Sequence, residues 1–135
     1  SGSLTLERAA YLLNERGKSM QDAVPAGQGA MMAILGMTLE EVKQEINLLP
    51  KGEICEIAND NSNAQVVVSG NKKIIDEFNI NLKKRKKKGI ILPVSAPFHC
   101  SLMQKAAESM KEKIDNTNFQ KSKPNIISNV TARCL

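Results

Sequence analysis

His99 has the clearest potential for chemistry, because it is the only histidine in the chain. It lies in the run Ser95-Ala96-Pro97-Phe98-His99-Cys100, where a predicted strand gives way to a predicted helix. Catalytic groups often project from loop ends of this kind, and an imidazole can take up and return a proton near neutral pH. A histidine that packs at or caps a helix start is the other interpretation, and the motif alone does not decide between them.

A histidine that acts as the base of a hydrolase-like site needs a serine or cysteine nucleophile within hydrogen-bonding reach. The sequence contains no G-x-S-x-G elbow, which displays the serine in many such enzymes. Ser69 precedes a glycine but lacks the first glycine of that elbow. Ser95, Ser101 and Cys100 lie too close to His99 along the chain to be obvious partners. We therefore expect these residues to be structural.

Arg16 is the second candidate, and it lies on the first predicted helix. A guanidinium is a planar fork that can pair with both oxygens of a carboxylate, which a lysine ammonium cannot reproduce. A solvated arginine on a helix surface, paired with a nearby glutamate, is the common alternative. The residue types alone leave both interpretations open.

The cysteines indicate neither a disulfide framework nor a metal site. Cys55, Cys100 and Cys134 are odd in number and widely spaced, without a C-x-x-C pair. We therefore predict no metal and no cofactor. A reducing compartment fits best, and neither a membrane-spanning run nor a signal peptide is recognised, so we expect a cytoplasmic protein with no membrane partner.

The positive charge is concentrated in one segment, although the whole chain carries a net charge of +5. This basic run consists of Lys83, Lys84, Arg85, Lys86, Lys87 and Lys88. A solvated helix end, an electrostatic docking patch for an acidic protein, and a nucleic-acid site are the three interpretations. Aromatic residues make up only 3% of the chain, and no DNA-reading motif is present, so we expect no nucleic-acid partner.

Composition and length predict one folded domain. The 135 residues are 41% hydrophobic and 24% charged, which is typical of a globular protein. Helical periodicity and capping signals, such as Thr5 and the Thr38/Glu41 capping box, predict four helices. These helices cover residues 5–23, 38–49, a stretch from Asn71 to the basic run, and 97–116.

Short apolar segments bounded by turn residues predict the strands. They cover residues 30–35, 53–58, 65–69, 89–94 and 125–130. The asparagine-rich stretch 59–63 is predicted to be the loop of a hairpin. From residue 30 to residue 94 the order is therefore βαββαβ, which is the ferredoxin-like arrangement.

The fold class predicted is α+β, with the ferredoxin-like unit flanked by helices and a strand from a larger α/β body. Residues 1–29 would be a helix and linker of the large subdomain, and residues 30–94 the small subdomain. Residues 95–135 would return to the large subdomain with the helix that carries His99.

Several blocks of sequence resemble the malonyl-CoA:acyl carrier protein transacylases, and they occur in that family's order and spacing. The blocks are RGKSMQDAVP from Arg16, GAM from Gly29, AILG from Ala33, ANDN from Ala58, QVVVSG from Gln65 and LPVSAPFHC from Leu92. The resemblance continues to SNVTA from Ser128 and covers essentially the whole chain. It implies that the larger body is that of an α/β-hydrolase-like acyltransferase.

The resemblance implies roles for five residues. In that family a serine attacks malonyl-CoA, a histidine takes the serine's proton, and the malonyl group passes to the phosphopantetheine thiol of acyl carrier protein. His99 matches the histidine, and Arg16 matches the arginine that holds the malonyl carboxylate. Met31, Asn61 and Phe98 match positions around the acyl pocket. The implied partners are malonyl-CoA and acyl carrier protein, which the basic run could bind.

The family's serine lies in a G-H-S-x-G-E elbow, and this motif is absent from the 135 residues. A catalytic base without its nucleophile has nothing to activate, so we expect the isolated chain to be inactive and to be a fragment of a ping-pong acyltransferase. Its helices would leave apolar surface uncovered, which predicts self-association. The alternative is a small basic ferredoxin-like module that binds RNA or an acidic protein.

Overall fold

The computed structural model describes residues 1–128 and 131–134. Its regular elements include both helices and strands, interspersed along the chain. In order they are α1 (Leu6–Ala23), β1 (Gly29–Leu35), α2 (Leu39–Asn47), β2 (Cys55–Ser62), β3 (Gln65–Asn71), α3 (Lys72–Lys84), β4 (Lys88–Ile91), a 3₁₀ turn (Ser101–Met103) and α4 (Gln104–Asp115).

The four strands form one sheet in the order β2-β3-β1-β4, and every neighbouring pair is antiparallel. The element order from β1 to β4 is βαββαβ, as the sequence predicted, and the α+β class is confirmed. β1 and β3 are the central strands and form the longest continuous pairing, from Gly29 opposite Asn71 to Leu35 opposite Gln65.

The two faces of the sheet have different neighbours. On one face, Met32, Ile34, Val66 and Val68 pack against apolar residues of α2 and α3, including Val42, Ile74, Ile75, Phe78 and Leu82. On the other face, Met31, Ala33 and Val67 are buried beneath Ala58, Leu92 and Phe98. The main core therefore lies between the sheet and its helices, and the opposite face meets the segment that leads to His99.

The starts of α1 and α2 form where the sequence predicted them. The Thr5 hydroxyl accepts a hydrogen bond from Arg8 N at 3.2 Å. At α2, Thr38 Oγ1 accepts from Glu41 N, and Glu41 Oε2 accepts from Thr38 N at 2.7 Å. These hydrogen bonds to Thr38 hold the pKa of Glu41 below its usual value. Thr5 and the capping box are therefore confirmed.

α1 and α4 pack against each other outside the sheet. Leu12 is buried on α1, and Ala106 and Met110 are buried on α4. A hydrogen bond of 3.2 Å between the Ser19 and Ser109 hydroxyls also joins the helices. This pair supports the turn that carries His99, because that turn leads directly into α4.

Two strand predictions had the wrong length. β2 continues through Asn59, Asp60 and Ser62, which the sequence analysis had placed in a loop. Irregularities in its pairing with β3 accommodate these polar residues, so the hairpin turn contains only Asn63 and Ala64. β4 ends at Ile91 rather than at residue 94 because Pro93 has no N–H to donate to a ladder.

Two helix starts also differ from the predictions. α4 begins at Gln104 after a 3₁₀ turn, not at Pro97, because His99 has a φ of 60° and cannot be part of a right-handed helix. The Asn71 side chain does not cap α3. Its Oδ1 instead accepts a hydrogen bond from Ile54 N at 2.7 Å, which ties the start of β2 to the end of β3.

The predicted final strand over residues 125–130 is wrong for its described part. Ile127 makes a single antiparallel bridge to Cys134, and Ile126 and Ile127 are exposed. An apolar run becomes a strand only when a neighbouring strand satisfies its backbone. Residues 129 and 130 lie outside the described part.

Among residues 1–128 and 131–134, no helix is long and apolar enough to cross a membrane.

Candidate functional site

His99 occupies a tight turn between β4 and the 3₁₀ turn. Its φ of 60° is left-handed, a conformation in which histidine is more frequent than most residues. Ala96 and Pro97 below it are buried and Phe98 is half-buried, whereas His99 itself is exposed. The Phe98 N–H donates to Ala96 O at 3.0 Å, and Cys100 Sγ donates to Pro97 O at 3.1 Å. The imidazole therefore lies at the surface, on a turn that is stabilised by hydrogen bonds among its own residues.

Gly29 allows this turn to approach the start of β1. A Cβ atom at Gly29 would lie 2.3 Å from both Cγ and Cδ of Pro97. No side chain fits in that space, so glycine is required for the close contact. The contact fixes the turn on the N-terminal side of His99.

Glu56 fixes the same turn on the C-terminal side of His99. Its Oε2 accepts a hydrogen bond from Ser101 N at 2.8 Å, and its Oε1 accepts one from the Ser101 hydroxyl at 2.6 Å. Glu56 lies on β2, which is an edge strand of the sheet. The sheet therefore holds both ends of the His99 turn.

A further hydrogen bond joins the turn to the helix that carries Arg16. Gln21 Nε2 on α1 donates to the Ser95 hydroxyl at 2.7 Å. α1 also contacts the 3₁₀ turn that follows His99. The candidate base and the candidate carboxylate-binding residue are thus on elements that contact each other directly.

Arg16 is exposed on α1, and its guanidinium makes no ion pair or hydrogen bond to residues 1–128 or 131–134. Its neighbour Glu15 is instead paired with Lys18 and Lys113, each at 3.3 Å. Hydrogen bonds to these two lysines lower the pKa of Glu15. The carboxylate nearest to Arg16 in sequence is therefore already paired with two lysines. The Arg16 guanidinium is available for an external anion.

The structure brings some of the predicted pocket residues together but not all of them. Met31 is buried in the same cluster that Phe98 covers, directly below the His99 turn. Asn61 is exposed near the hairpin end of β2, where its neighbours pair with the residues opposite Ile34 and Leu35. The His99 turn packs at the other end of β1, at Gly29.

No nucleophile is paired with His99 in the described ranges. The Ser95 hydroxyl accepts from Gln21, the Ser101 hydroxyl donates to Glu56, and the Cys100 thiol donates to Pro97 O. Ser69 is fully buried, and its hydroxyl has no hydrogen-bond partner among residues 1–128 and 131–134. His99 likewise makes no hydrogen bond in this part of the chain.

The cysteines are free thiols, and Cys55 is buried. Burial, together with the nearby Glu56 and Cys100, raises the pKa of the Cys55 thiol to about 12. A thiol of this kind is unreactive near neutral pH, because the thiolate is the reactive species. Over the same described ranges, no group of three or more histidine, cysteine, aspartate or glutamate residues is arranged to hold a metal ion.

Sequence reasoning missed Gln21, Gly29 and Glu56 as residues that support the His99 turn. Gln21 and Gly29 lie within sequence blocks that resemble the family, but nothing in those blocks indicates that they support the turn. Glu56 and Ser101 are 45 residues apart, and no local pattern joins a strand carboxylate to a serine at that distance. Only the β2-β3-β1 pairing brings Glu56 to the side of the sheet where the turn packs.

Comparisons with known proteins find relatives that are similar in sequence and in fold. No family model matches the chain. A malonyl CoA-acyl carrier protein transacylase from Bacillus subtilis is 42% identical over 135 residues, which is 98% of this chain and 42% of the relative. The crystal structure of the transacylase from Clostridium perfringens superposes with a TM-score of 0.88 at 38% identity and covers 100% of this chain and 43% of that one.

A third similar protein is known in a complex. It is a malonyl-transacylase bound to a type II PKS acyl-carrier protein, 32% identical with a TM-score of 0.90 over 99% of this chain and 44% of that one. This chain spans less than half the length of the curated relatives that it matches. In sequence and in fold, the chain therefore matches a segment of the malonyl CoA-acyl carrier protein transacylases over essentially its whole length.

Proposed function

We propose that this chain is part of a malonyl-CoA:acyl carrier protein transacylase of fatty acid biosynthesis, in which His99 is the general base and Arg16 binds the malonyl carboxylate. The observation that carries this proposal is the exposed, unpaired imidazole of His99 on an anchored turn, within a chain that matches transacylases in sequence and in fold. The nucleophilic serine would come from a segment outside these 135 residues.

The proposed reaction has two balanced halves. The serine oxygen attacks the thioester carbonyl of malonyl-CoA while His99 takes its proton, and the CoA sulfur leaves with that proton. The malonyl group is then an ester on the serine. In the second half, the phosphopantetheine thiol gives its proton to His99 and attacks the ester carbonyl. The serine oxygen leaves and recovers the proton. Arg16 would hold the free carboxylate of the malonyl group throughout both halves.

The division into subdomains is also part of the proposal. Residues 30–94 would form the small subdomain, and residues 1–29 and 95–135 would belong to the large one. The apolar side chains of Leu6, Leu13 and Ile127 are 87%, 67% and 68% exposed. These side chains would contact further parts of the transacylase, and would promote self-association when the chain is alone.

Replacing Arg16 tests the assignment of the malonyl-binding residue. In the complete transacylase, we expect Arg16→Ala to lower kcat/KM for malonyl-CoA by about 100-fold, since two charge-assisted hydrogen bonds are lost. Arg16→Lys should recover only part of this loss. Transfer from acetyl-CoA, which has no free carboxylate, should change little. The measurement is the malonyl-to-acetyl ratio of kcat/KM.

Arg8→Ala is the matched control, because Arg8 is on the same helix and its guanidinium lies 5.4 Å from the centre of the Tyr11 ring. It should leave the malonyl-to-acetyl ratio unchanged. An unchanged ratio in Arg16→Ala would contradict the assignment.

We further propose that the basic run, residues 83–88, contributes to docking of acyl carrier protein. Lys83, Lys84 and Lys86 are exposed and unpaired within the described residues, whereas Arg85 forms an ion pair with Glu45. The run ends at Lys88, the first residue of β4, which pairs with Leu35, and the His99 turn packs at Gly29. These points are opposite ends of β1, about 20 Å apart at the usual rise per residue. A carrier protein docked at the run would have to span this distance with its phosphopantetheine arm to reach His99.

Charge reversal tests the docking role. We expect Lys84→Glu with Lys86→Glu to raise the KM for acyl carrier protein by about tenfold, and to weaken the dependence of that KM on salt. The KM for malonyl-CoA should stay constant. Lys121→Glu with Lys123→Glu is the control with the same change in net charge and the same spacing, because both lysines are exposed and lie after α4, distant in sequence from the run. Equal effects of the two double variants would contradict docking at the run.

A further inference from the structure

We propose that Glu56 is a positioning residue for His99, and that it acts through Ser101. This inference rests on the proposed function, because it assigns a role in the same transfer reaction. Glu56 need not contact the substrate. It fixes the backbone that follows His99, and so determines where the imidazole is held.

The hydrogen bonds of Glu56 have the geometry of a two-point clamp. One carboxylate oxygen accepts the Ser101 N–H at 2.8 Å and the other accepts the Ser101 hydroxyl at 2.6 Å. Hydrogen bonds to a charged acceptor are stronger than neutral ones, and two of them also fix orientation. Ser101 is therefore fixed in both position and rotation relative to β2.

The turn needs such a clamp because its backbone conformation is unfavourable. His99 has a φ of 60°, which costs free energy for any residue with a Cβ atom. Such a conformation persists only where the surroundings hold it on both sides. Pro97 against Gly29 and Ser95 against Gln21 hold the preceding residues. In the part of the chain that the structure describes, Glu56 provides the side-chain bonds to residue 101.

The location of Glu56 links the base to the proposed acyl pocket. Glu56 pairs with Ser69 across β2 and β3, and Ser69 pairs with Met31 across β3 and β1. Directly paired residues share one face of a sheet, so Glu56 and Met31 are in the same row on the face beneath Phe98. The clamp therefore sets the His99 turn relative to the strand that carries Met31.

The test uses the complete transacylase with Glu56→Ala, Glu56→Gln and Ser101→Ala. Glu53→Ala is the matched control, because it removes an exposed carboxylate two residues before β2 that makes no hydrogen bond in the described part of the chain. Amide hydrogen exchange of the peptide covering residues 95–103 reports the clamp independently of activity. We expect faster exchange in Glu56→Ala and unchanged exchange in Glu53→Ala.

Single-turnover acylation by malonyl-CoA reports the position of His99. We expect Glu56→Ala to lower the acylation rate constant by about 10- to 100-fold, as for misplacement of a catalytic group by about 1 Å. The concentration of malonyl-CoA that gives half the maximal rate should stay within about twofold, because ground-state binding is untouched. Glu56→Gln keeps an acceptor oxygen and should recover most of the rate. Ser101→Ala keeps the N–H donor, so its acylation rate constant should lie between those of Glu56→Ala and Glu56→Gln.

The outcomes separate this inference from the proposed function. Faster exchange with unchanged acylation in Glu56→Ala would overturn the positioning role, as would unchanged exchange. The inference would also be overturned if Glu56→Ala lowers the melting temperature and Glu56→Gln does not recover the acylation rate constant. Glu56 would then be a purely structural residue. If the unsubstituted protein transfers no malonyl group, the proposed function fails. Faster exchange confined to the Glu56 and Ser101 variants would then still support anchoring of the His99 turn.

Discussion

The His99→Asn variant of the complete transacylase is expected to transfer malonyl groups about 10²- to 10⁴-fold more slowly than the unsubstituted enzyme, since it lacks the proposed general base. Both half-reactions should slow, because in the proposed reaction the same imidazole takes a proton from serine and later from the phosphopantetheine thiol. The measurements are the single-turnover acylation rate and the rate at which acyl carrier protein discharges the malonyl-enzyme.

Asparagine is the informative replacement because it tolerates the left-handed backbone that His99 adopts. The His99 side chain is exposed and makes no hydrogen bond within residues 1–128 and 131–134. The melting temperature should therefore stay the same, which separates loss of chemistry from loss of fold. Activity within about tenfold of the unsubstituted enzyme would fall below the usual contribution of a general base and would contradict the assignment.

Gly70→Ala should cause the largest loss of stability. A Cβ atom at this position would lie 1.8 Å from Ile54 O and 2.6 Å from Ile54 C. These are backbone atoms of the segment entering β2, so β2 and β3 must separate to relieve the overlap. We expect the free energy of unfolding to fall by about 3 kcal/mol, at the upper end for overpacking. The melting temperature followed by circular dichroism should fall by about 10 °C.

Gly17→Ala is the matched control for this prediction. Gly17 is on α1, and nothing lies within 4 Å of the Cβ atom that alanine would add. Alanine is the better helix former by about 1 kcal/mol, so this variant should be as stable as the unsubstituted chain or more so. Equal melting temperatures for the two glycine variants would show that β2 does not approach Gly70 as closely as the structure indicates.

The sequence predicted the elements that local signals specify. Thr5 and the Thr38/Glu41 capping box determine helix starts from within a few residues, and their hydrogen bonds form as expected. The apolar segment that became β1 needed no distant information either, since the glycines at both ends delimit it. The order of elements from β1 to β4 followed from these signals.

The errors arose where distant partners determine the structure. The polar residues 59–62 have the composition of a loop, but β3 supplies the hydrogen-bonding partner that extends β2 through them. Asn71 has the residue type of a helix cap, but Ile54 N competes for its side chain from 17 residues away. Residues 125–128 have the composition of a strand, and Ile127 pairs only with Cys134 in the described part.

In the candidate site, too, some residues can be identified from nearby sequence, whereas others depend on partners that are distant in the chain. His99 and Arg16 were ambiguous as single residues, and only their place in a series of family blocks gave them roles. The structure adds that both are exposed and unpaired in the described part, on elements that contact each other. Residue types could not reveal the supports of the turn, because Gly29, Gln21 and Glu56 each act on a partner more than 40 residues away.

The most direct test of the central claim is to identify the residue that becomes malonylated. The complete transacylase is mixed with malonyl-CoA, and the adduct is located by peptide mapping with mass spectrometry. We predict a single malonyl ester on a serine outside these 135 residues, which forms more slowly in His99→Asn and disappears when acyl carrier protein is added. An adduct on Ser69, Ser95, Cys100 or Ser101, or no adduct at all, would contradict the proposal.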